Sequence, residues 1–172
     1  VVESLGRAWP VETRYLSYDA RQRLEDQVAA AIRKALAEET GSILAFLPGV
    51  AEIQRTADRI GPVAGNVQIA HLYGALTIEG VRVVVDSGFA RVPRFDLQLG
   101  ASRLETVRLA VANADQRRGR AGRTGPGVCY RLWREAEMRG FAASPSPEID
   151  NADLTGLARD LALWGAKTPA DL

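Results

Sequence analysis

Residues 42–47, Ser-Ile-Leu-Ala-Phe-Leu, form an apolar run with no polar alternation. A strand with one solvated face alternates apolar and polar side chains. A run without alternation marks a strand covered on both faces, as in a parallel sheet between helices. The neighbouring patterns agree. Residues 11–16 alternate with period two after Pro10, and a helix is expected from about 20 to 39. Asp19 is its expected N-cap, and Leu24, Val28, Ala31, Ile32, Ala35 and Leu36 share one face. Gly41 stops that helix, and Pro48-Gly49 breaks the apolar run. A second helix is expected over 50–60, then strands over 67–72 and 81–86. Strands alternating with helices in this way predict an α/β fold with a parallel sheet flanked by helices. At 172 residues the chain can fill one core and begin a second domain.

One link conflicts with that pattern. Only the eight residues 73–80 separate the strand ending at Leu72 from the strand beginning at Val81. A parallel crossover needs about a dozen residues or more, normally including a helix. Either this pair is antiparallel, or chain is missing between Leu76 and Thr77. Beyond Asp86, residues 89–95 and 103–111 flank Asp96-Leu-Gln-Leu-Gly100 and read as a long β-hairpin. Asn113 is the expected cap of a short helix containing 114–118. A Gly-rich stretch over 119–127 leads into a last strand over 128–133. Ser144-Pro-Ser-Pro147 reads as a linker. Asp153 then caps an expected amphipathic helix carrying Leu154, Leu157, Leu161 and Trp164, the first element of a further domain.

The charge total names no partner: 22 Lys+Arg against 21 Asp+Glu leave a formal +1. Its distribution is more informative. Residues 103–134 hold eight arginines and two acids, a local excess of six positive charges. The dense part is Gln116-Arg-Arg-Gly-Arg-Ala-Gly-Arg123. Arg120 and Arg123 are three apart, so a helical turn points both the same way. Gly119 and Gly122 allow close backbone approach to a ligand. Guanidinium forks match phosphate oxygens bidentately, so converging arginines suit a polyphosphate or its transition state. A solvated basic loop or a general RNA-binding patch is the plainer alternative, but this spacing is much more specific than a charge run.

That segment resembles motif VI of the DEAH-box superfamily 2 helicases, and the resemblance extends over nearly the whole chain. Residues 43–53 are similar to the motif IV region, and 72–76 to the segment that follows. Residues 77–88 resemble the end of motif V and the next strand. The hairpin over 91–108 sits where these enzymes carry one in their second motor domain. Segments 92–96, 103–107 and 125–133 look most like the bacterial HrpB-type members. The resemblance implies a second RecA-like domain over 1–147 with a β-hairpin insertion, and the beginning of a degenerate winged-helix domain over 148–172. Family members carry a few tens of residues between the counterparts of Leu76 and Thr77, including most of motif V. Those residues are absent here.

The resemblance also implies roles. ATP with Mg²⁺ would be bound mainly by a preceding N-terminal RecA-like domain of the same protein. This chain has neither a G-x-x-x-x-G-K-[ST] loop nor an Asp-Glu-x-His box, so alone it is not expected to hydrolyse ATP. Arg120 and Arg123 would act as arginine fingers, and Gln116 would orient the attacking water or the γ-phosphate. Arg117 is expected to be structural. Phe89 would stack on the base, and Asp86 would be the acid on the nucleotide side; a core aromatic and a turn-capping acid are the alternatives. RNA, with DNA as the alternative, would meet Pro48, Gly49 and Thr77 and the hairpin residues Arg91, Arg94 and Arg103. A non-catalytic RNA-binding or adaptor module is the competing function. No metal site is expected, and no run approaches the ~18 apolar residues of a membrane span. The single cysteine, Cys129, argues against a disulfide framework and for a cytoplasmic setting. It and the single histidine, His71, are expected to be structural.

Overall fold

Five of the six residues of β3 (Val81–Asp86) are buried, and the rest of the first unit is arranged around this strand. Val83 and Val85 point to one side, Val84 to the other. A computed structural model of the chain describes residues 9–63, 65, 67–72, 80–96 and 98–165. In it β3 lies between β2 (Ser42–Phe46) and β6 (Gly127–Arg131), and β1 (Val11–Tyr15) pairs with β6 on its outer side. The order is β1-β6-β3-β2, and all three pairings are parallel.

Helices α1 (Leu24–Glu38) and α2 (Val50–Ile60) belong to one layer. Val28, Ala31, Ile32 and Ala35 of α1 bury against Val83, Val85, Tyr130 and Leu132. Each valine, isoleucine or leucine among them contributes roughly 1.5–3 kcal/mol on full burial. The two helices are pinned by an ion pair, Arg55 Nε to Glu25 Oε1 at 2.5 Å. On the opposite face, α3 (Val111–Arg118) and the 3₁₀ turn Gly119–Gly122 cover the sheet. Ala121 meets Val81, Val84 and Cys129 there, while Ala114 packs with Leu109 and Trp133. The parallel sheet flanked by helices is the architecture expected from the strand and helix patterns.

The chain divides into two units, Val1–Ala90 with Val107–Pro145, and Arg91–Thr106 with Ser146–Leu172. The second contains the outer part of the hairpin β4 (Phe89–Asp96) and β5 (Ala101–Arg108), together with α4 (Thr155–Leu163). Asp96 closes the hairpin turn, its Oδ1 accepting the Gln98 amide at 2.9 Å. The N-cap of α4 is Leu154 rather than Asp153, whose Oδ1 one residue earlier accepts the Thr155 amide at 2.9 Å.

Several boundaries depart from expectation. α1 begins at Leu24 rather than near 20, because Asp19 is spent on a turn whose Arg21 amide donates to its Oδ1 at 3.0 Å. α3 starts two residues before Asn113. Residues 67–72 form no strand, and Val67 and Ile69 are exposed. A strand exists by virtue of its pairing, and eight residues are too few to return this segment parallel to β3. β2 is consequently an edge strand among the described residues, its apolar run only half-buried rather than covered on both faces.

Candidate functional site

α3 is short and mostly polar, and among its residues only Ala114 is fully buried. Ala114 is fully buried against Trp133 and Leu109, which turns Gln116 outward into solvent. At 3.6 residues per turn, Asp115 and Arg117 then fall on opposite flanks of the helix. The 3₁₀ turn that follows is held by its small residues. Ala121 is fully buried, and a Cβ on Gly122 would stand 2.7 Å from the Trp9 carbonyl oxygen. The Trp9 amide donates to the Gly122 carbonyl at 3.0 Å. With Ala121 and Gly122 held down, Arg120 is left half-buried and Arg123 exposed. Arg120 lines an open groove of about 730 Å³ together with Pro48, Gly49 and the edge strand β2.

The four clustered arginines separate into two classes. Arg117 Nη1 lies 2.8 Å from Asp86 Oδ1 and donates to the Phe89 carbonyl at 3.1 Å, and its guanidinium sits 4.8 Å from the centre of the Phe46 ring. Arg118 has Asp115 at 3.9 Å. Arg120 and Arg123 enter no ion pair among the described residues. Asp86, expected to face the nucleotide, is fully buried and bound to Arg117. Burial pushes its carboxyl above the ordinary range, against the opposing pull of Arg117, the Gly88 amide and Arg131.

Phe89 is half-buried in an aromatic cluster. The Arg108 guanidinium lies 4.4 Å from its ring centre, and Tyr18 meets it edge-on at 5.6 Å. Arg108 also lies 5.4 Å from the Phe141 ring and 3.6 Å from Glu137. Gly88, at φ +79°, makes this packing possible: a Cβ would stand 2.8 Å from the Trp133 ring and 2.9 Å from Arg108 Nη1.

Arg120, Pro48 and Gly49 are thus brought together, as are Asp86, Arg117 and Phe89. Arg91, Arg94 and Arg103 are exposed on the hairpin, with Arg94 3.0 Å from Glu105. Thr77 lies outside the described residues. Among the described residues no group of His, Cys, Asp and Glu could hold a metal ion, and no helix is long and apolar enough to cross a membrane.

No protein-family model matches the chain. Individual proteins do. It is 40% identical to the ATP-dependent RNA helicase HrpB of Escherichia coli K12 over 203 aligned positions, covering 100% of this chain and 25% of that protein. It is 33% identical to a probable ATP-dependent RNA helicase of mouse, DHX34, over 91% of this chain and 18% of that one. The crystal structure of the E. coli DEAH/RHA helicase HrpB matches with a TM-score of 0.88 at 40% identity, over 96% of this chain and 25% of that chain. The chain is a DEAH-box helicase domain.

This helicase domain spans about a quarter of the length of HrpB. The alignment needs 203 positions for 172 residues, so at least 31 positions have no counterpart here. Thirty-one positions exceed the dozen or so residues that a parallel crossover needs. Three contributors in the helicase domain were not singled out from its sequence. Asp115 and Arg131 are ion-paired at 2.8 Å, and Arg108 backs Phe89. The only sequence signal for Arg131 was a cation inside a buried strand, which requires a partner.

Proposed function

We propose that this chain is the second RecA-like motor domain of an ATP-dependent RNA helicase, completing an ATPase site whose other half is a preceding RecA-like domain. The observation that carries the proposal is the sorting of the arginines. Arg117 is consumed by the sheet, while Arg120 and Arg123 keep five-donor forks available on one turn of backbone. A triphosphate fits that donor set, and the preceding domain would hold its Mg²⁺. ATP with Mg²⁺ would supply the γ-phosphoryl group transferred to water. Arg120 and Arg123 would neutralise charge on its oxygens as the bond to the leaving group breaks. Such a finger is worth roughly 10³–10⁵ in rate. Gln116, held outward, would orient the water, and Phe89 would offer a ring face to the base. Asp86 acts here through Arg117 rather than on the nucleotide.

RNA would be met through its phosphates, by backbone and hydroxyl groups of Pro48, Gly49 and Thr77 and, on the hairpin, by the charges of Arg91, Arg94 and Arg103. Residues 148–172 would open a winged-helix domain, leaving 1–147 as the motor domain. The RNA helicases named above support RNA over DNA and a longer, multidomain parent.

The test uses the full-length protein. R120A and R123A are each expected to lower RNA-stimulated ATPase turnover by about 10³ or more, with RNA affinity in the absence of nucleotide within about twofold. Lost RNA affinity with turnover intact would instead support a non-catalytic RNA-binding module. The 172-residue chain alone is expected to show no ATPase activity.

A further inference from the structure

Asp86 and Arg131 are facing partners in the β3–β6 ladder, so a buried acid and a buried base stand side by side at the ends of the two central strands. Neither takes its close ion pair from the other. Asp86 binds Arg117 at 2.8 Å, and Arg131 Nη2 binds Asp115 Oδ1 at 2.8 Å. The two outer members sit two residues apart on α3, on its opposite flanks. The sheet therefore offers an acid to one side of the helix and a base to the other, and the helix answers each with the opposite charge.

The arrangement resists rotation in both senses. Turning α3 about its axis lengthens one pair or the other, leaving a fully buried carboxylate or an almost fully buried guanidinium without its partner. An unpaired buried charge is among the most unfavourable features a fold can carry. The surroundings leave few substitutes. Asp86 Oδ2 and Arg131 Nε have no hydrogen-bond partner, and the Arg131 head is confined 5.4 Å from the Trp133 ring. Between the two flanking residues stands Gln116, and one turn beyond stand Arg120 and Arg123.

We infer that Asp86, Arg117, Arg131 and Asp115 form a crossed ion-pair quartet that sets the rotation of α3, and with it the aim of Gln116, Arg120 and Arg123. These four are positioning residues and touch no phosphate. The inference rests on the arginine-finger reading above. It gives Asp115, a half-exposed carboxylate on a short helix, a role at the site, since that carboxylate holds the Arg131 side. Arg117 binds the carbonyl of Phe89 as well, so the same side chain ties the finger-bearing helix to the aromatic proposed to stack on the base.

The experiment measures RNA-stimulated ATPase kinetics of the full-length protein carrying D115A, D115N, R117A or R117K, each alone and with R123A. D115A and R117A are expected to lower kcat about tenfold or more while KM for ATP stays within about twofold, because misaimed fingers cost rate rather than binding. D115N keeps an acceptor for Arg131 and recovers part of the loss. In the R123A background the same substitutions are expected to cost less than they do alone, since one of the two fingers they aim is already gone while Arg120 remains. Thermal melting registers any general destabilisation separately. If D115A or R117A does not fold, D115N and R117K decide the question. Unchanged kcat in the quartet variants, or losses that multiply fully onto R123A, would overturn the quartet while leaving the fingers standing. An R123A protein with normal kcat would overturn the finger reading and the quartet with it.

Discussion

Single residues of one type have opposite fates in this chain, and burial decides which. Arg117 and Arg123 stand six apart in the same motif, yet one is bound to a buried acid and the other reaches solvent. Their letters alone do not separate them; the position of Asp86 does. Cys129 is another residue settled by its surroundings. Burial first, and then the nearby Asp86 charge, push its thiol from 9.0 up to about 12. Since the thiolate is the reactive form, Cys129 is expected to resist alkylation by iodoacetamide at pH 8 and to react within minutes in denaturant. Mass spectrometry of the two samples checks this, and rapid labelling of the native protein would contradict it.

Among the elements, the turn Gly119–Gly122 carries the sharpest local requirement. Its two glycines are not equivalent. A Cβ on Gly122 meets the Trp9 carbonyl oxygen at 2.7 Å and Val11 Cγ2 at 2.8 Å, whereas one on Gly119 meets nothing within 4 Å. Gly119 also has helical backbone angles, φ −59° and ψ −16°. G122A is accordingly expected to cost about 1–3 kcal/mol through forced displacement of β1, while G119A is neutral or stabilising by up to about 1 kcal/mol. Urea titrations of the two variants give the comparison, and equal midpoints would contradict it. The edge strand β2 shows the converse dependence. Its residues are apolar enough for the middle of a sheet, yet its place is set by which other strands are present to pair with it.

The whole molecule responds to alkaline pH through two protons it keeps. Burial, with hydrogen bonds to Glu38 and Glu39, raises the Tyr130 hydroxyl from 10.0 to about 12, beside the similarly raised Cys129. From about pH 9 upward the unfolded chain loses these protons and the folded chain holds them. Unfolding therefore releases protons in that window, and stability falls as pH rises, by up to about 1.4 kcal/mol per pH unit for each group above its unfolded value. Chemical denaturation from pH 8 to 11 should show declining midpoints, with a shallower slope in a C129A variant. A flat profile would show that neither group is protected by the fold.

The alternation of apolar strands with helices was enough to specify a parallel α/β sheet, because side-chain period separates strand from helix and strands joined through helices pair in parallel. The spacing Gln-Arg-x-Gly-Arg-x-Gly-Arg was enough to mark a candidate phosphate site, because guanidinium forks suit phosphate oxygens, and its resemblance to a known helicase motif marked the family. The eight-residue link over 73–80 was legible as too short for a parallel crossover, a matter of chain reach. Other features depended on contacts between residues far apart in the chain. The failure of 67–72 to form a strand, the burial of Asp86 under Arg117, and the pairing of Arg131 with Asp115 all belong to that class. Ladder register and helix rotation set those distances, and neither is encoded within any one segment. Local pattern thus determined most of the elements and which residues are candidates for chemistry. The tertiary structure alone decided which charges neutralise one another inside the fold and which remain to meet a phosphate, because the strength of an ion pair depends on separation and burial rather than on sequence distance.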